Sequence, residues 1–212
     1  MKKIILSLMI ITSTLFLSGC LVISAVGVAI GVSSDRRTVG ESIDDKGIGF
    51  SLFSWTHEDV LLKESHLNFM VYNREVLITG EVPTVALRDY ITKYTPSKDF
   101  KIKRVINEVR VAKNSSLISR TQDSAITISA KASFHNQEVF NPLHIEIMTE
   151  NRTVYLMGAL TTREANKATK IAAAIGGVER VVKLFRYLKT RPAAEIAQEK
   201  RRQLEVESSN NQ

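Results

Sequence analysis

The chain has 212 residues, of which 29 are lysine or arginine and 22 are aspartate or glutamate, giving a formal net charge of +7. This excess is modest. It suits attraction to an anionic lipid surface or an acidic partner better than it suits a dedicated nucleic-acid binder. The single cysteine, Cys20, excludes an intrachain disulfide and a cysteine-rich metal site.

The first 19 residues have the pattern of a cleavable export signal. Lys2 and Lys3 form a basic start, and a mostly apolar core follows from residue 4 to residue 16. This core is too short to span a bilayer stably. Removal of the signal takes away both lysines and no acidic residue, so the net charge of the remaining chain falls from +7 to +5.

The signal ends in the lipobox pattern of bacterial lipoproteins, in which the cysteine is acylated and the chain is cut before it. The residues that form this pattern are Leu17, Ser18, Gly19 and Cys20. An ordinary secretory signal beside a chance cysteine does not explain a thiol at this one position and nowhere else. We therefore expect an acyl anchor such as palmitate on Cys20 and a tether over residues 20–44.

The residue after the cysteine bears on which membrane holds the anchor. It is Leu21, and not the aspartate that typically retains lipoproteins at the inner membrane of Gram-negative cells. The resemblance to that sorting rule implies the outer membrane, with the chain anchored by lipid and facing the periplasm.

Beyond the tether, the chain contains an internal repeat. Residues 66–80 align with residues 144–158, and six of the 15 positions are identical. A second block aligns residues 103–106 with residues 179–182. Two copies of about 70 residues predict tandem domains rather than a solenoid, whose units are shorter and more numerous. We place the domains at 45–113 and 114–190, with a charged C-terminal tail at 191–212.

Each copy predicts the same order of elements: helix, strand, strand, helix, strand. The first helices are expected at 45–62 and 121–134. Alternating apolar residues around Asn73-Arg74 and Asn151-Arg152 predict two hairpins with tight turns. The second helices begin near Thr84 and at Thr161, which has capping-box spacing to Glu164. A β-rich stretch closes each copy, and Ala193 to Glu207 favours a further, charged helix.

At this point the chain resembles the BON (bacterial OsmY and nodulation) domain family. The resemblance rests on Asn-Arg-x-Val-x-x-x-Gly in each copy, on the last-strand motifs 105–109 and 177–181, and on the linker 35–40 behind a lipobox. It implies an α+β fold: two tandem BON domains, each an αββαβ sandwich of a three-stranded sheet and two helices. It also implies association with phospholipid, a role in envelope integrity and no enzymatic activity.

The resemblance directs attention to the first helix of the second domain, where related lipoproteins tend to carry a tryptophan that enters lipid. Ala125 stands at the aligned position here. Because alanine replaces the tryptophan, aromatic insertion is weakened, and we expect electrostatics to carry more of the binding. The phospholipid-binding candidates are Arg120, Ala125, Ile126, Lys131 and Phe134.

A second crowded apolar segment leaves an alternative open. Phe50, Leu52, Phe53 and Trp55 cannot all occupy one helical face, and we expect at least two of them in the core. The main alternative to lipid binding is a protein-interaction adaptor that the tether presents to an envelope partner.

The sequence contains none of the common catalytic motifs, such as Gly-x-Ser-x-Gly, His-Glu-x-x-His or a phosphate loop. His66 and His144 occupy equivalent positions in the repeat, which favours a structural role for both. No catalytic residue, metal site, cofactor or nucleic-acid partner is predicted.

Overall fold

The computed structural model of the chain describes residues 35–210. The predicted signal, the lipobox with Cys20 and most of the tether therefore lie outside the described residues. Among the described residues, no helix combines the length and the apolar character that a membrane crossing needs.

The first copy follows the predicted order of elements. It contains α1 (Val39–Glu58), β1 (His66–Tyr72), β2 (Glu75–Val82), α2 (Val85–Tyr94), β3 (Arg104–Asn107) and β4 (Arg110–Val111). Helix α1 begins earlier than the predicted residue 45, because Thr38 caps it and Glu41 completes a capping box. The predicted tether therefore ends in helical structure.

The second copy repeats this order without a separate counterpart of β4, since its last strand pairs continuously with the second strand of the hairpin. It contains α3 (Leu117–His135), β5 (Ile145–Glu150), β6 (Thr153–Thr161), α4 (Thr162–Ala173) and β7 (Arg180–Leu188), and α5 (Ala193–Asn210) follows it. The capping box of Thr161 and Glu164 is present at the start of α4. In each copy the hairpin strands pair antiparallel and the last strand pairs parallel to the second. The α+β fold is confirmed, whereas the exact domain boundaries stay a prediction.

A buried aspartate on the first helix of each copy holds the hairpin turn. Asn73 and Arg74 have φ of 51° and 64°, a left-handed conformation that tight two-residue hairpins need. The carboxylate of Asp45 on α1 accepts hydrogen bonds from both of their N–H groups, at 2.7 and 2.6 Å. The second copy repeats this arrangement with Asn151, Arg152 and Asp123, at 2.8 Å for both bonds. Each aspartate thus fixes its helix to its hairpin.

Successive residues of the strands point to opposite faces of the sheet and pack in two different hydrophobic cores. In β2, Val76 and Ile78 face the helices of the first copy, whereas Leu77 faces away from them. The residues that face away from the helices in both copies form one shared cluster, whose buried members are Met70, Tyr72, Leu77, Tyr155, Met157 and Ala159. The two sheets therefore pack on each other, with the helices on their outer sides, and residues from Arg36 onward form one compact unit.

Gly80 and Gly158, which end the repeat motif in the two copies, lie so close to a neighbouring backbone segment that a side chain would not fit. A Cβ atom on Gly158 would lie 2.3 Å from the carbonyl oxygen of His144, and one on Gly80 would lie 1.9 Å from that of His66. Gly80 also has a φ of 114°. From the sequence, either a close helix or an unusual dihedral is expected to require these glycines. The unusual dihedral is present at Gly80, and the close neighbour is the backbone at the start of each hairpin rather than a helix.

The shared cluster changes what Gly158→Ala should do. Two independent tandem domains, as the sequence predicts, would lead Gly158→Val to unfold the second domain and leave the first largely intact. Because the sheets share a core, we instead expect both domains to lose about 1–3 kcal/mol of stability in one transition. Urea unfolding should move the fluorescence midpoint of Trp55, the only tryptophan and a first-domain residue, together with the far-UV circular dichroism midpoint.

Gly176→Ala is the matched control, since an added Cβ there meets no atom within 4 Å. It should leave both midpoints nearly unchanged. The shared core would be contradicted if Gly158→Ala left the Trp55 fluorescence midpoint unchanged while the circular dichroism signal showed a separate transition at lower urea concentration.

Candidate functional site

Helix α3 divides the predicted lipid-binding residues between its two faces. Ile126 and Phe134 are 6% and 0% exposed and pack in the core of the second domain. These two predictions are therefore wrong, because the spacing of 123, 126, 130 and 134 places all four positions on the face turned to the sheet. Ala125 and Lys131 are exposed, and Arg120 is half-buried.

The opposite side of α3 presents an apolar surface to solvent, which we call the α3 outward face. Its residues are Leu117, Ile118, Ala125 and Ile128, and the three large side chains are 78%, 73% and 67% exposed. The sequence prediction included Ile128 in this apolar surface but missed Leu117 and Ile118, which precede the segment from Arg120 to Phe134 that it considered. Applying the helical period of about 3.6 residues to the whole segment would have assigned Asp123 and Ile126 to one face and Leu117 and Ile118 to the opposite face.

Within α3, the exposed and half-buried charged residues have one sign, apart from the histidine at its end. The only carboxylate in α3 is Asp123, which is buried and bonded to the Asn151-Arg152 turn. The exposed Lys131 and the half-buried Arg120, which donates from Nε to Oγ of Ser115 at 3.2 Å, supply the cations. The surface is therefore apolar with a positive margin.

Helix α1 also has an exposed apolar side, the α1 outward face, formed by Val39, Ile43, Phe50 and Phe53. Leu52 and Trp55 are buried, so the prediction that at least two of the four crowded residues lie in the core is confirmed. Unlike α3, this helix carries four acidic side chains, at 41, 44, 45 and 58, and one lysine at 46. The two outward faces are equivalent in the repeat but different in charge.

Between the two copies lies a cleft of about 440 Å³, the inter-domain cleft, which opens beside α3. His66 and Asn68 of β1 line one side, and Arg120, Ile128 and Glu150 are among the residues that line the other. Ile128 thus belongs both to the α3 outward face and to the rim of this cleft.

A buried group of titratable side chains, the histidine–glutamate cluster, adjoins the cleft and consists of His66, Glu81 and Glu150. Nδ1 of His66 lies 3.3 Å from Oε2 of Glu81 and 4.0 Å from Oε1 of Glu150. Burial raises the pKa of Glu150 above its ordinary value. Burial also acts to raise the pKa of Glu81, but hydrogen bonds led by that from Arg110 hold it below its ordinary value.

Two of the three members of this cluster could be placed together from the sequence. A two-residue turn at 73–74 fixes the hairpin register and places His66 directly opposite Glu81. The third member, Glu150, comes from the other domain, and no local pattern brings it there.

Arg36 fastens the segment before α1 to the second domain. Its side chain is 4% exposed and donates hydrogen bonds to both carboxylate oxygens of Glu164, at 2.9 and 2.7 Å. It also bonds to Glu195 of α5 and, at 2.7 Å, to the carbonyl oxygen of Ala159. His144 brings a nitrogen close to these two glutamates, but the guanidinium already occupies their oxygens.

Comparisons with known proteins agree with the two-copy architecture. The BON domain family matches residues 53–113 and 122–189, one match in each copy. The chain is 33% identical over 179 residues to outer membrane lipoprotein DolP of Haemophilus influenzae, covering 83% of this chain and 92% of that protein. It is 26% identical over 155 residues to a 21 kDa hemolysin of Actinobacillus pleuropneumoniae, covering 73% of this chain and 79% of that protein.

Among solved structures, the chain is similar to CdsD, a structural protein of the type III secretion system of Chlamydia trachomatis. The identity is 13% and the TM-score is 0.26. The match covers 68% of this chain and 65% of that one, which is less than two thirds of its length. A similarity this remote carries no functional argument.

The Arg36 contact predicts a specific pH dependence. Burial acts to raise the pKa of Glu164, but hydrogen bonds from Arg36 and Thr161 hold it below the ordinary value. The stability that this shift supplies is present at neutral pH and is lost as pH falls from about 4.3 through the lower folded pKa. Arg36→Ala should leave the buried carboxylate without its cation and cost about 3–5 kcal/mol near pH 7.

The difference in unfolding free energy between the native chain and Arg36→Ala should shrink as pH falls toward 4, since protonation of Glu164 removes the unpaired charge. Urea unfolding at several pH values measures this difference. Arg88→Ala, which removes an exposed 3.6 Å pair with Asp89, is the control and should cost less than about 1 kcal/mol. A cost for Arg36→Ala that is small or independent of pH would contradict the assignment.

Proposed function

The chain belongs to the BON-domain family, and we propose that it is a non-catalytic lipoprotein of the outer membrane that binds anionic phospholipid through the α3 outward face. In this proposal the acylated Cys20 anchors the chain, which faces the periplasm and supports the integrity of the envelope. The single observation that carries the proposal is the α3 outward face itself, which is apolar, exposed and free of acidic side chains.

Charge favours α3 over α1 as the lipid contact. An anionic headgroup layer attracts nearby lysine and arginine by about 1 kcal/mol each and repels carboxylates. The α3 outward face presents Lys131 with no exposed acid on its helix, whereas α1 adds Glu41, Asp44 and Glu58 around its apolar residues. Arg74 and Lys101 pair with Asp44 and offset part of this charge. The first surface therefore suits an anionic leaflet better than the second.

Because the acyl anchor already holds the chain on the membrane, a surface with low affinity for lipid is enough for contact. Each buried methylene of an acyl chain contributes about 0.8 kcal/mol, so two or three chains hold a protein on a membrane durably. The segment between Cys20 and α1 is short enough to keep the domains at about millimolar effective concentration next to the leaflet. A patch of modest intrinsic affinity would then be occupied most of the time.

The α1 outward face supports the alternative function, a tethered adaptor for a protein of the envelope. Phe50 and Phe53 are 72% and 56% exposed. Exposed aromatic side chains are typical anchors of protein–protein contacts, and the acidic surroundings suit a basic partner better than a lipid surface. The lipid and adaptor functions thus use different helices and can be separated by mutation.

We predict that the chain with Cys20→Ala, purified without its signal, sediments with vesicles that contain phosphatidylglycerol. Leu117→Glu with Ile128→Glu should weaken this binding at least about tenfold, because two apolar contacts are replaced by charges that the vesicle repels. Raising the salt from about 0.05 to 0.5 M should also release the protein, since the screening length falls about threefold.

The matched control is Phe50→Glu with Phe53→Glu, the same change on the equivalent helix, which should sediment like the parent. Ala125→Trp should strengthen binding by about 1 kcal/mol, or roughly fivefold. If the double variant on α1 no longer sediments with vesicles and the double variant on α3 still does, the lipid surface lies on α1. If the parent ignores anionic vesicles, the adaptor function is favoured.

The anchor has its own test. Cys20→Ala in cells should abolish labelling by radioactive palmitate and release the processed chain from the outer-membrane fraction, because the lipobox then offers no thiol for acylation. Labelling that persists in the variant, or unchanged fractionation, would contradict the lipoprotein assignment.

A further inference from the structure

We propose that the histidine–glutamate cluster is a binding site for a divalent transition-metal ion such as Zn²⁺, with ligands from both domains. His66 and Glu81 come from the hairpin of the first copy and Glu150 comes from β5 of the second. One ligand atom from each of the three side chains lies within 4.8 Å of the other two. A bound ion would therefore join the two BON domains directly.

One oxygen of each carboxylate already accepts a hydrogen bond from a neighbouring side chain, and the other oxygen faces His66. Arg110 donates to Oε1 of Glu81 at 2.7 Å, and Asn68 donates to Oε2 of Glu150 at 2.7 Å. The remaining oxygens are the two that face Nδ1 of His66. Neighbours that fix the orientation of ligands in this way are typical of protein metal sites.

The spacing suits a tetrahedral ion after a small adjustment. Zinc bonds to nitrogen and oxygen at about 2.0–2.2 Å, so its ligands stand about 3.3 Å apart. The contact between Nδ1 of His66 and Oε2 of Glu81 has this length, 3.3 Å, and that to Oε1 of Glu150 is 4.0 Å. The two carboxylate oxygens lie within 4.8 Å of each other. A movement of one carboxylate by up to about 1.5 Å therefore completes the three-ligand arrangement.

The local charge and burial favour a cation. The side chains of Glu81 and Glu150 are 1% and 5% exposed, and Arg110 balances only one of their two negative charges. The N–H of Ser115 also donates to Oε2 of Glu81, at 3.2 Å, and a carboxylate oxygen has a second lone pair for the metal. A doubly charged ion would relieve the repulsion between two buried carboxylates that no other described cation contacts.

The donor set selects the class of metal. One imidazole and two carboxylates suit Zn²⁺ and its neighbours in the first transition row better than Ca²⁺ or Mg²⁺, which prefer oxygen alone. Coordination through Nδ1 requires the imidazole proton to sit on Nε2, which lies 3.4 Å from Nδ2 of Asn68. Because both atoms would then be donors, this contact must open, and Nε2 can turn to water in the inter-domain cleft that His66 lines. The same cleft admits water as the fourth ligand.

The proposal is tested on the purified chain after treatment with a chelator. Isothermal titration with ZnCl₂ should show one equivalent bound, and a thermal melt should show a higher midpoint with zinc than without. Glu150→Gln, which keeps an oxygen for the Asn68 hydrogen bond, should weaken zinc binding at least about tenfold. Glu146→Gln, on the same strand but half-exposed and paired with Arg37, is the matched control and should bind like the parent.

Cobalt provides a readout of the ligands themselves. Co²⁺ in the site should give visible absorption bands that disappear in His66→Ala, while the dichroism spectrum of that variant reports that it is folded. Absence of zinc binding at about 0.1 mM overturns the proposal. Binding that Glu150→Gln and His66→Ala leave unchanged also overturns it, because the ion is then held elsewhere on the surface.

Discussion

The packing of the two sheets against each other is the constraint on which the rest of this structure depends. Each sheet, of four strands in the first copy and three in the second, has helices on one side and apolar residues on the other. Leu77 of one copy and Tyr155 and Met157 of the other bury those apolar faces together. Neither copy would keep water from this surface alone. The pairing therefore turns two small repeats into one compact unit and directs the helices outward.

The outward direction of the helices explains where the surfaces of the two copies diverge. The buried positions of the repeat are nearly symmetrical, as the equivalent turn contacts of Asp45 and Asp123 show. The outward positions are free to differ, and they do: α1 combines phenylalanines with acids, whereas α3 combines aliphatic residues with cations. Sheet packing also brings β1 beside β5, and this contact creates the cleft and the histidine–glutamate cluster.

The sequence predicted most of the fold and only part of the site, for physical reasons. Local patterns such as the Asn-Arg turns and the Thr161 capping box depend on neighbours in the chain, so they could be read directly. The burial of Ile126 and Phe134 depends on which side of α3 meets the sheet, and segment composition does not resolve that. The meeting of His66 with Glu150, and of Arg36 with Glu164, depends on domain packing, which no local pattern encodes.

Native-state hydrogen exchange of the unmodified chain tests the shared core most directly. Interior amides of β2 and β6 should exchange through the same global opening, with equal free energies and equal dependence on urea concentration, because neither sheet can open without exposing the other. If β6 exchanges through a smaller opening at lower free energy while β2 stays protected, the two domains unfold independently. That result would contradict the account.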